Sequence, residues 1–396
     1  MSWRSIKFGE HLPVFTVDCL WQSFSQQQMK QVIENEFRFK KMLKLNGLLY
    51  LDSEEYNKLK DILKEQINDG TTKKIMNNYS EKIKRLLIKK KSLTNANIKT
   101  KSTPYLDQLF IDTIEEYISI LSYFYILQMN DEVYRLELKK ALEKELTKKK
   151  KQELNLVHSI EIIKQQINNP IYKEKKQLLT IAELITKDER LVKLFLKKED
   201  QIIEQIKRFR KIYTLIKKHN TQYCWINTNV SHSKEYDFDQ IIKALKEILL
   251  ENPQKKSELL KQETELHKKE YNEIKNYFKA SKNIIKMIKE FEIFEDKKIQ
   301  LQQMYYQLQY YLRLFLEEIA KRHNLTYHEL TYLTYREILG SIKLNLLNKD
   351  IIKNRENDHA IIIEEGNKLK ILTGFNILKL KESLNNDDFI MDNNEQ

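Results

Sequence analysis

Apolar residues recur at intervals of three and four along most of this chain, the spacing that places them on one face of an α-helix. The stretch 105–129 is the most apolar and is expected to form a helix at the centre of a bundle. A charged helix is expected over 131–151, where glutamates precede lysines by three or four residues. A long amphipathic helix is predicted beyond Phe294, with one face holding Met304, Leu308, Leu312, Phe315, Leu316 and Ile319.

Two short stretches have the pattern of strands instead. Residues 359–373 place β-branched side chains on both sides of the turn-like run 364–367, which is typical of a hairpin. Near the start of the chain, Asn46-Gly47 lies between apolar flanks and can form a hairpin turn before the extended piece LLYLD. The predicted fold is mainly α: a multi-helix, bundle-like assembly with a small β element near residues 358–373.

Helix starts are indicated by side chains whose oxygens accept first-turn N–H groups. Asp52 or Ser53 has this place before one helix, and Asn252-Pro253 before another. A Thr or Asp followed three residues later by Glu or Gln predicts a capping box. Four such pairs occur: Thr186–Glu189, Asp237–Gln240, Thr326–Glu329 and Thr334–Glu337.

These elements divide the chain into consecutive regions. We expect an N-terminal helical region over 1–130 and a second helical region over 131–219. The turn-like stretch after His219 marks the junction to a third region, 220–380, which is helical and ends in the small β element. The Asn-rich end, 381–396, is expected to be disordered.

Composition agrees with a helical protein, since 396 residues include only 6 glycines and 4 prolines. The net charge is +13, and residues 73–101 contain ten basic residues and one acidic residue. Two cysteines, Cys19 and Cys224, form neither a disulfide framework nor a metal-binding spacing. The longest apolar run, 117–129, is shorter than the roughly 20 residues that span a membrane. We therefore expect a soluble, cytoplasmic protein with no membrane segment.

The stretch 294–375 resembles the helical middle region of PEP-utilising phosphotransferases, a family that includes PEP synthases, pyruvate phosphate dikinase relatives and rifampin phosphotransferases. Further upstream, YCWINTN around Trp225 is similar to a Tyr-x-Trp-Ile element of the family. The resemblance extends over roughly 200–375 and rests on structural motifs. The matching residues are Glu318, Ile319, Ala320, Arg322, Thr326, Leu330, Tyr332, Leu333, Thr334, Glu337, Ile338, Arg355, Gly366 and Gly374.

In that family an ATP-grasp domain and a domain bearing a phosphorylatable histidine flank such a region. This chain contains neither a Gly-rich phosphate loop nor a Thr-x-Gly-Gly-x-x-Ser-His run, and Asp296-Lys297-Lys298 replaces the family's Asp-x-x-Arg. The resemblance therefore implies a stand-alone helical subunit or remnant, not catalytic alone, with an acceptor-binding or docking role. No cofactor is expected in this chain, and ATP or PEP would act only through a partner with the two missing domains.

Several side chains are candidates for that role, and no catalytic residue is predicted. Trp225, Tyr305, Tyr306, Tyr310 and Tyr311 are candidates for an acceptor pocket, although core packing explains the tyrosines as well. Lys298, Arg322 and Arg355 are candidates for phosphate or partner binding, although a salt bridge is the more ordinary explanation of Arg355. No metal site is predicted, because His323 and His328 are five positions apart, whereas zinc pairs usually use i, i+4.

Two other interpretations stay open. The basic segment 73–101 could bind nucleic acid or an acidic partner in a helical scaffold protein, although a solvated helical face explains it too. An independent enzyme could also assemble its site from residues distant in sequence. Steep loss of binding with added salt would favour the nucleic-acid interpretation over a phosphotransferase subunit.

Overall fold

A computed structural model describes residues 3–6, 13–46, 48–71, 74–75, 77–82, 84–85, 103–149, 155–164, 169–226, 236–344, 349–357, 359–364, 368–384 and 389–390. Most of these residues are helical, which confirms the mainly α prediction. A single 3-10 turn, Ile206–Arg208, is described. The α-helices are Val14–Ser23, Gln26–Ile33, Ser53–Asn68, Thr103–Lys149, Leu156–Lys164, Pro170–Ile185, Glu189–Phe195, Glu199–Gln205, Arg210–Tyr223, Phe238–Leu250, Pro253–Tyr277, Lys282–Arg322, Tyr327–Thr331, Tyr335–Leu344, Lys349–Asn357 and Phe375–Ser383.

The small β element is one sheet that joins the two ends of the chain. Its strands are β1 (Trp3–Ile6), β2 (Met42–Leu45), β3 (Leu48–Asp52), β4 (His359–Glu364), β5 (Lys368–Thr373) and β6 (Phe389–Ile390), in the order β5-β4-β2-β3-β1-β6. Both predicted hairpins are present, as the antiparallel pairs β2–β3 and β4–β5. They meet where β2 pairs antiparallel with β4, with Lys44 opposite Ile361.

The two faces of the sheet bury different sets of residues, because side chains alternate along each strand. On one face Leu43, Leu45, Tyr50 and Ala360 form a small core with Trp3 and with Ile377 of the Phe375–Ser383 helix. The opposite face buries apolar residues from three strands together with one lysine: Met42, Lys44, Leu49, Leu51, Ile361 and Ile363. A lysine in that position requires a buried partner.

The prediction of separate helices before and after residue 130 is wrong, because Thr103–Lys149 is one continuous helix. Asn130 does not end the first part, since its side chain is buried and its amide donates to the Tyr79 hydroxyl at 3.4 Å. After Pro104 the segment contains neither Pro nor Gly, so nothing in the backbone interrupts the helical hydrogen bonds.

Three of the four predicted capping boxes are confirmed: Asp237–Gln240, Thr326–Glu329 and Thr334–Glu337. The fourth, Thr186–Glu189, is wrong. Thr186 instead ends the Pro170–Ile185 helix, and its hydroxyl donates to the carbonyl of Glu183 at 2.9 Å. Asp188 caps the following helix by accepting from the backbone N–H of Arg190 at 3.0 Å. Asp52 and Asn252 cap helices as expected.

The chain divides into two compact units, Met1–Val133 with Leu308–Gln396, and Tyr134–Gln307. The first unit joins the two ends of the chain, a grouping that the consecutive regions predicted from the sequence do not contain. It includes the sheet. Of the predicted disordered end, residues 381–383 complete a helix and residues 389–390 pair with β1, while 385–388 and 391–396 lie outside the described residues.

The second unit has its own core. In it, the ring of Tyr134 stacks on Phe291 and Phe294, with ring centroids 5.7 and 5.5 Å apart. Both phenylalanines are fully buried, whereas the neighbouring Ile293 is 52% exposed. Phe294 and Ile293 are therefore a matched pair of positions, one buried and one exposed, for testing the core.

We expect Phe294→Ala to lower the free energy of unfolding by about 3–4 kcal/mol, because it removes a buried ring and leaves a cavity. Ile293→Ala, on the same helix, should cost less than about 1 kcal/mol, because that side chain is half in solvent. Urea denaturation followed by circular dichroism measures both. Equal losses for the two variants would contradict this packing.

Candidate functional site

The aromatic candidates lie in pairs and in the core. Trp225 is buried, and its indole N–H donates to the carbonyl of Gln222 at 2.7 Å. Tyr305 is buried and its ring contacts Tyr306, while the half-buried rings of Tyr310 and Tyr311 contact each other; the centroids are 5.4 Å apart in each pair. Trp225, Tyr305 and Tyr306 belong to the second unit, and the other two tyrosines to the first. Pocket lining by these residues stays a prediction.

Each basic candidate already has a carboxylate partner on the protein. The buried Lys298 amine donates to Glu295 at 2.7 Å, and Arg322 donates to Glu318 at 2.9 Å, one helical turn earlier. Arg355 is paired with Glu337. A phosphate or partner group that bound any of the three cations would compete with a carboxylate in place.

Three of the four described cations in the basic segment 73–101 also have carboxylate partners, and the fourth, Arg85, is exposed. Lys74 pairs with Glu34 and Lys84 with Glu81. Lys82 is buried, and its amine donates to Glu116 at 2.9 Å and to the Ser119 hydroxyl at 2.7 Å. Burial lowers the pKa of Lys82, and the Glu116 charge opposes that shift. Residues 86–101 lie outside the described residues.

The strongest polar arrangement in the first unit centres on Arg355. Its guanidinium donates to both oxygens of Glu337, at 2.7 and 2.8 Å, and to the carbonyl of Tyr332 at 2.9 Å. Glu337 also accepts from the backbone N–H of Thr334 at 2.8 Å, as the third residue of its capping box. One carboxylate therefore starts the Tyr335–Leu344 helix and also ties it to the Lys349–Asn357 helix. Burial acts to raise the pKa of Glu337, but its bonds to Arg355 and Thr334 hold it below the usual value.

A second carboxylate lies at the same helix start. Asp18, on the Val14–Ser23 helix, is 3% exposed and accepts from the backbone N–H of Tyr335 at 3.1 Å. Burial raises the pKa of Asp18 to about 6, although the Tyr335 bond and the Arg336 charge oppose the shift. This interaction joins the N-terminal helix to the stretch that resembles the phosphotransferases.

The buried lysine of β2 finds its partner on β4. The Lys44 amine lies 2.5 Å from Nε2 of His359, and Nδ1 of His359 lies 2.9 Å from the carbonyl of Arg355. A protonated lysine has only donors, so Nε2 accepts and Nδ1 carries the hydrogen that is donated to Arg355. Both ring nitrogens of His359 are therefore engaged, and neither is free to act as a phosphoacceptor.

Polar side chains continue from His359 to the surface. The ring of Tyr332 meets His359 edge-on at 5.8 Å, and the Tyr332 hydroxyl lies 3.1 Å from Nε2 of the exposed His328. We call these four residues, His328, Tyr332, His359 and Lys44, the polar row. Burial raises the pKa of Tyr332, and the Glu356 charge adds to that shift. The row offers an exposed imidazole and a phenol to a ligand or partner, backed by a buried lysine.

The second unit contains a buried polar cluster around His219. Its Nε2 lies 3.1 Å from Glu174 and its Nδ1 lies 2.9 Å from Gln177, while the Tyr236 hydroxyl donates to the same Glu174 oxygen at 2.8 Å. His219 is completely buried. Burial and the Glu174 charge raise the pKa of Tyr236. This cluster joins Tyr236 and the Arg210–Tyr223 helix to the Pro170–Ile185 helix.

Sequence reasoning missed both buried groups, for different reasons. His219 lies in register with Ile212, Ile216 and Tyr223, so the helical period could have identified it as a core position. Lys44 had no such signal, because a lysine between two leucines on a strand is typical of a solvent-facing position. Lys44 is buried because β4 pairs with β2, which the local sequence does not indicate.

Among the described residues, no three His, Cys, Asp or Glu side chains are placed to hold a metal ion. None of the described helices combines the length and apolar character that crossing a membrane requires.

We expect Asp18→Asn to stabilise the protein at pH 7.5. The Asp18 pKa is about 6 in the folded protein but about 4 in the unfolded chain, so the folded state loses stability as pH rises through that window. The side-chain amide introduced by the substitution still accepts from the backbone N–H of Tyr335, and it carries no charge. The gain should approach about 2.7 kcal/mol at pH 7.5 and become small near pH 4.

Thermal unfolding of the Asp18 variant and the wild type at pH 4, 5, 6 and 7.5 measures this difference. A gain that is the same at all four pH values would show that ionisation of Asp18 is not its cause. Exposed Asp61→Asn serves as the control, because the same chemical change in solvent should leave the pH profile unaltered.

We expect Arg355→Lys to destabilise the protein by about 2 kcal/mol, because a lysine cannot bind both Glu337 oxygens and the Tyr332 carbonyl together. Arg336→Lys, at an exposed position nearby, should cost less than about 0.5 kcal/mol. Urea denaturation of the two variants compares them directly. A tolerated Arg355→Lys would contradict a structural role for the bidentate pair.

Comparison of the sequence with protein-family models finds no match, and comparison with curated proteins finds none. The resemblance to PEP-utilising phosphotransferases therefore rests on the residues themselves. In the structure several of these residues, Thr326, Tyr332, Thr334, Glu337 and Arg355, are engaged in caps and ion pairs of the first unit.

Proposed function

We propose that this chain is a non-catalytic helical subunit or remnant of a PEP-utilising phosphotransferase, which docks the catalytic partner or binds the acceptor. Its partner would carry the ATP-grasp and phosphohistidine domains and would bring ATP or PEP. The observation that carries the proposal is the exposed imidazole of His328, whose Nε2 lies 3.1 Å from the hydroxyl of Tyr332, one of the resembling residues. The bidentate pair of Glu337 and Arg355 holds the helices behind it. Together they form the platform that we propose for another chain.

The polar row is the part of this platform that we assign to docking or acceptor binding. Its outer members are His328, which is exposed, and Tyr332, which is half-buried. Its inner members are held by neighbours on β2 and on the Lys349–Asn357 helix. A ligand group that binds His328 therefore meets a side chain whose supports are already in place, which lowers the entropic cost of binding.

The setting that we propose is the cytoplasm. Cys19 and Cys224 are both buried, and neither forms a disulfide. Cysteines outside disulfides agree with a reducing compartment, in which disulfides are rare.

The test uses the immobilised full-length chain and a lysate of its own cells supplied with ³²P-labelled PEP. We expect the chain to retain a labelled protein whose label is lost in acid and kept in alkali, as a phosphohistidine requires. His328→Ala should reduce that retention by about tenfold, which corresponds to roughly 1.4 kcal/mol of lost contact. His323→Ala, five residues earlier, is the matched control and should retain the wild-type amount.

Failure to retain any labelled protein would count against the phosphotransferase subunit. Equal retention by the two histidine variants would leave docking in place but move it away from the polar row. Prior melting curves for both variants establish that each is folded.

The alternative is nucleic-acid binding through residues 73–101, where three of the four described cations are paired and Arg85 is exposed without an ion pair. Lys74, Lys82 and Lys84 each lie against a glutamate. Cations already paired release fewer counterions when they meet a phosphate backbone.

A further inference from the structure

A different segment combines positive charge with the absence of acidic residues. Residues 205–234 contain seven Lys and Arg residues and no Asp or Glu. Six of the seven lie in the described part and all six are exposed: Lys207, Arg208, Arg210, Lys211, Lys217 and Lys218. We call them, with the surface they form, the 207–218 basic face.

None of these six cations forms an ion pair with a carboxylate among the described residues. Some other cations of the second unit are paired, such as Arg190 with Asp188 and Lys246 with Glu199. Within the part of the chain that the structure describes, the counterions of the basic face therefore come from solvent or from a ligand.

Helix geometry gathers most of the charges on one side. In the Arg210–Tyr223 helix, Ile212, Ile216, His219 and Tyr223 are buried. Arg210, Lys211, Lys217 and Lys218 occupy the opposite face at the 3.6-residue period. Arg210 and Lys217 are two turns apart, about 10 Å along the axis. A surface groove with a volume of about 560 Å³ is lined by Arg210, Lys211, Thr214 and Leu215.

Two half-buried aromatic residues, Phe209 and Tyr213, alternate with these cations along the chain, and each ring has a protein cation near it. The guanidinium of Arg190 is 5.8 Å from the ring of Phe209, and the Lys217 amine is 5.1 Å from the ring of Tyr213. Tyr213 also packs edge-on against Phe238, with centroids 5.8 Å apart. Cations that alternate with partly exposed rings are typical of surfaces on which single-stranded bases stack while the backbone is neutralised.

We propose that the 207–218 basic face binds single-stranded nucleic acid. The six cations contact the phosphate backbone, and Phe209 and Tyr213 contact bases. An acidic polypeptide would use the cations alone, and the interleaved rings favour the nucleic acid over it. This site lies within the second unit and does not depend on the phosphotransferase proposal.

The experiment measures the affinity of the full-length chain for a fluorescein-labelled 20-nucleotide oligo(U) by fluorescence anisotropy at 50, 100 and 200 mM KCl. Six neutralised phosphates predict a slope of log K against log salt of about −4, or roughly 300-fold weaker binding at 200 mM than at 50 mM. The variant Lys207→Gln/Arg208→Gln/Arg210→Gln/Lys211→Gln keeps two cations, so its slope should fall to about −1.4.

The matched control removes the same charge from another exposed surface of the second unit. Lys255→Gln/Lys261→Gln/Lys268→Gln/Lys269→Gln changes the Pro253–Tyr277 helix and should bind oligo(U) within about twofold of the wild type. An equal loss in both quadruple variants would mean that net charge, and not this face, drives binding. That result would overturn the proposal.

The rings are tested separately with Tyr213→Leu, which keeps an apolar body in contact with Phe238. We expect about a fivefold loss of affinity with an unchanged salt slope, because stacking is lost and no charge is removed. A 20-residue polyglutamate and a 20-base-pair RNA duplex are the competitors. If either displaces oligo(U) as well as unlabelled oligo(U) does, or if oligo(U) does not bind at 50 mM KCl, the proposal is wrong. Melting curves show that each variant is folded.

Discussion

The Arg355 guanidinium satisfies three acceptors, the two oxygens of Glu337 and the carbonyl of Tyr332. The region between residues 326 and 364 depends on this arrangement. Glu337 caps one helix and Tyr332 ends another, while the carbonyl of Arg355 orients His359. His359 in turn is the partner of Lys44. A buried charge without a partner is costly, so Lys44 needs His359, and His359 needs the Arg355 carbonyl that orients it.

This arrangement explains how a stretch can resemble an enzyme family while its matching residues serve the fold. Capping residues and a bidentate ion pair have strict geometry, so they need particular residue types at particular spacings. A pattern of that kind specifies how helices begin and meet. It does not specify which molecule they hold, and this is why the proposed function rests on an exposed side chain, that of His328.

Local patterns predicted much of the fold, because caps and hairpin turns are decided within a few residues. Thr334 with Glu337 and Asn46 before β3 are examples. The sequence did not predict that β2 pairs with β4, since strand pairing over such a distance leaves no local trace. The same limit applies to the candidate site. Arg355 could be identified as a candidate from its motif. The hydrogen-bond partners of Lys44 and Asp18, in contrast, lie more than 300 positions away in the sequence.

The strand order has a consequence for how the chain is made. Lys44 and His359 are 315 positions apart, so at 5–20 residues per second the ribosome needs roughly 15–60 s after β2 to complete β4. During that time the edge of β2 that will pair with β4 is open, and an open edge can pair with another chain. Nascent copies on neighbouring ribosomes are therefore the chains closest at hand for such pairing. A chaperone that covers the N-terminal hairpin would protect it most in that interval.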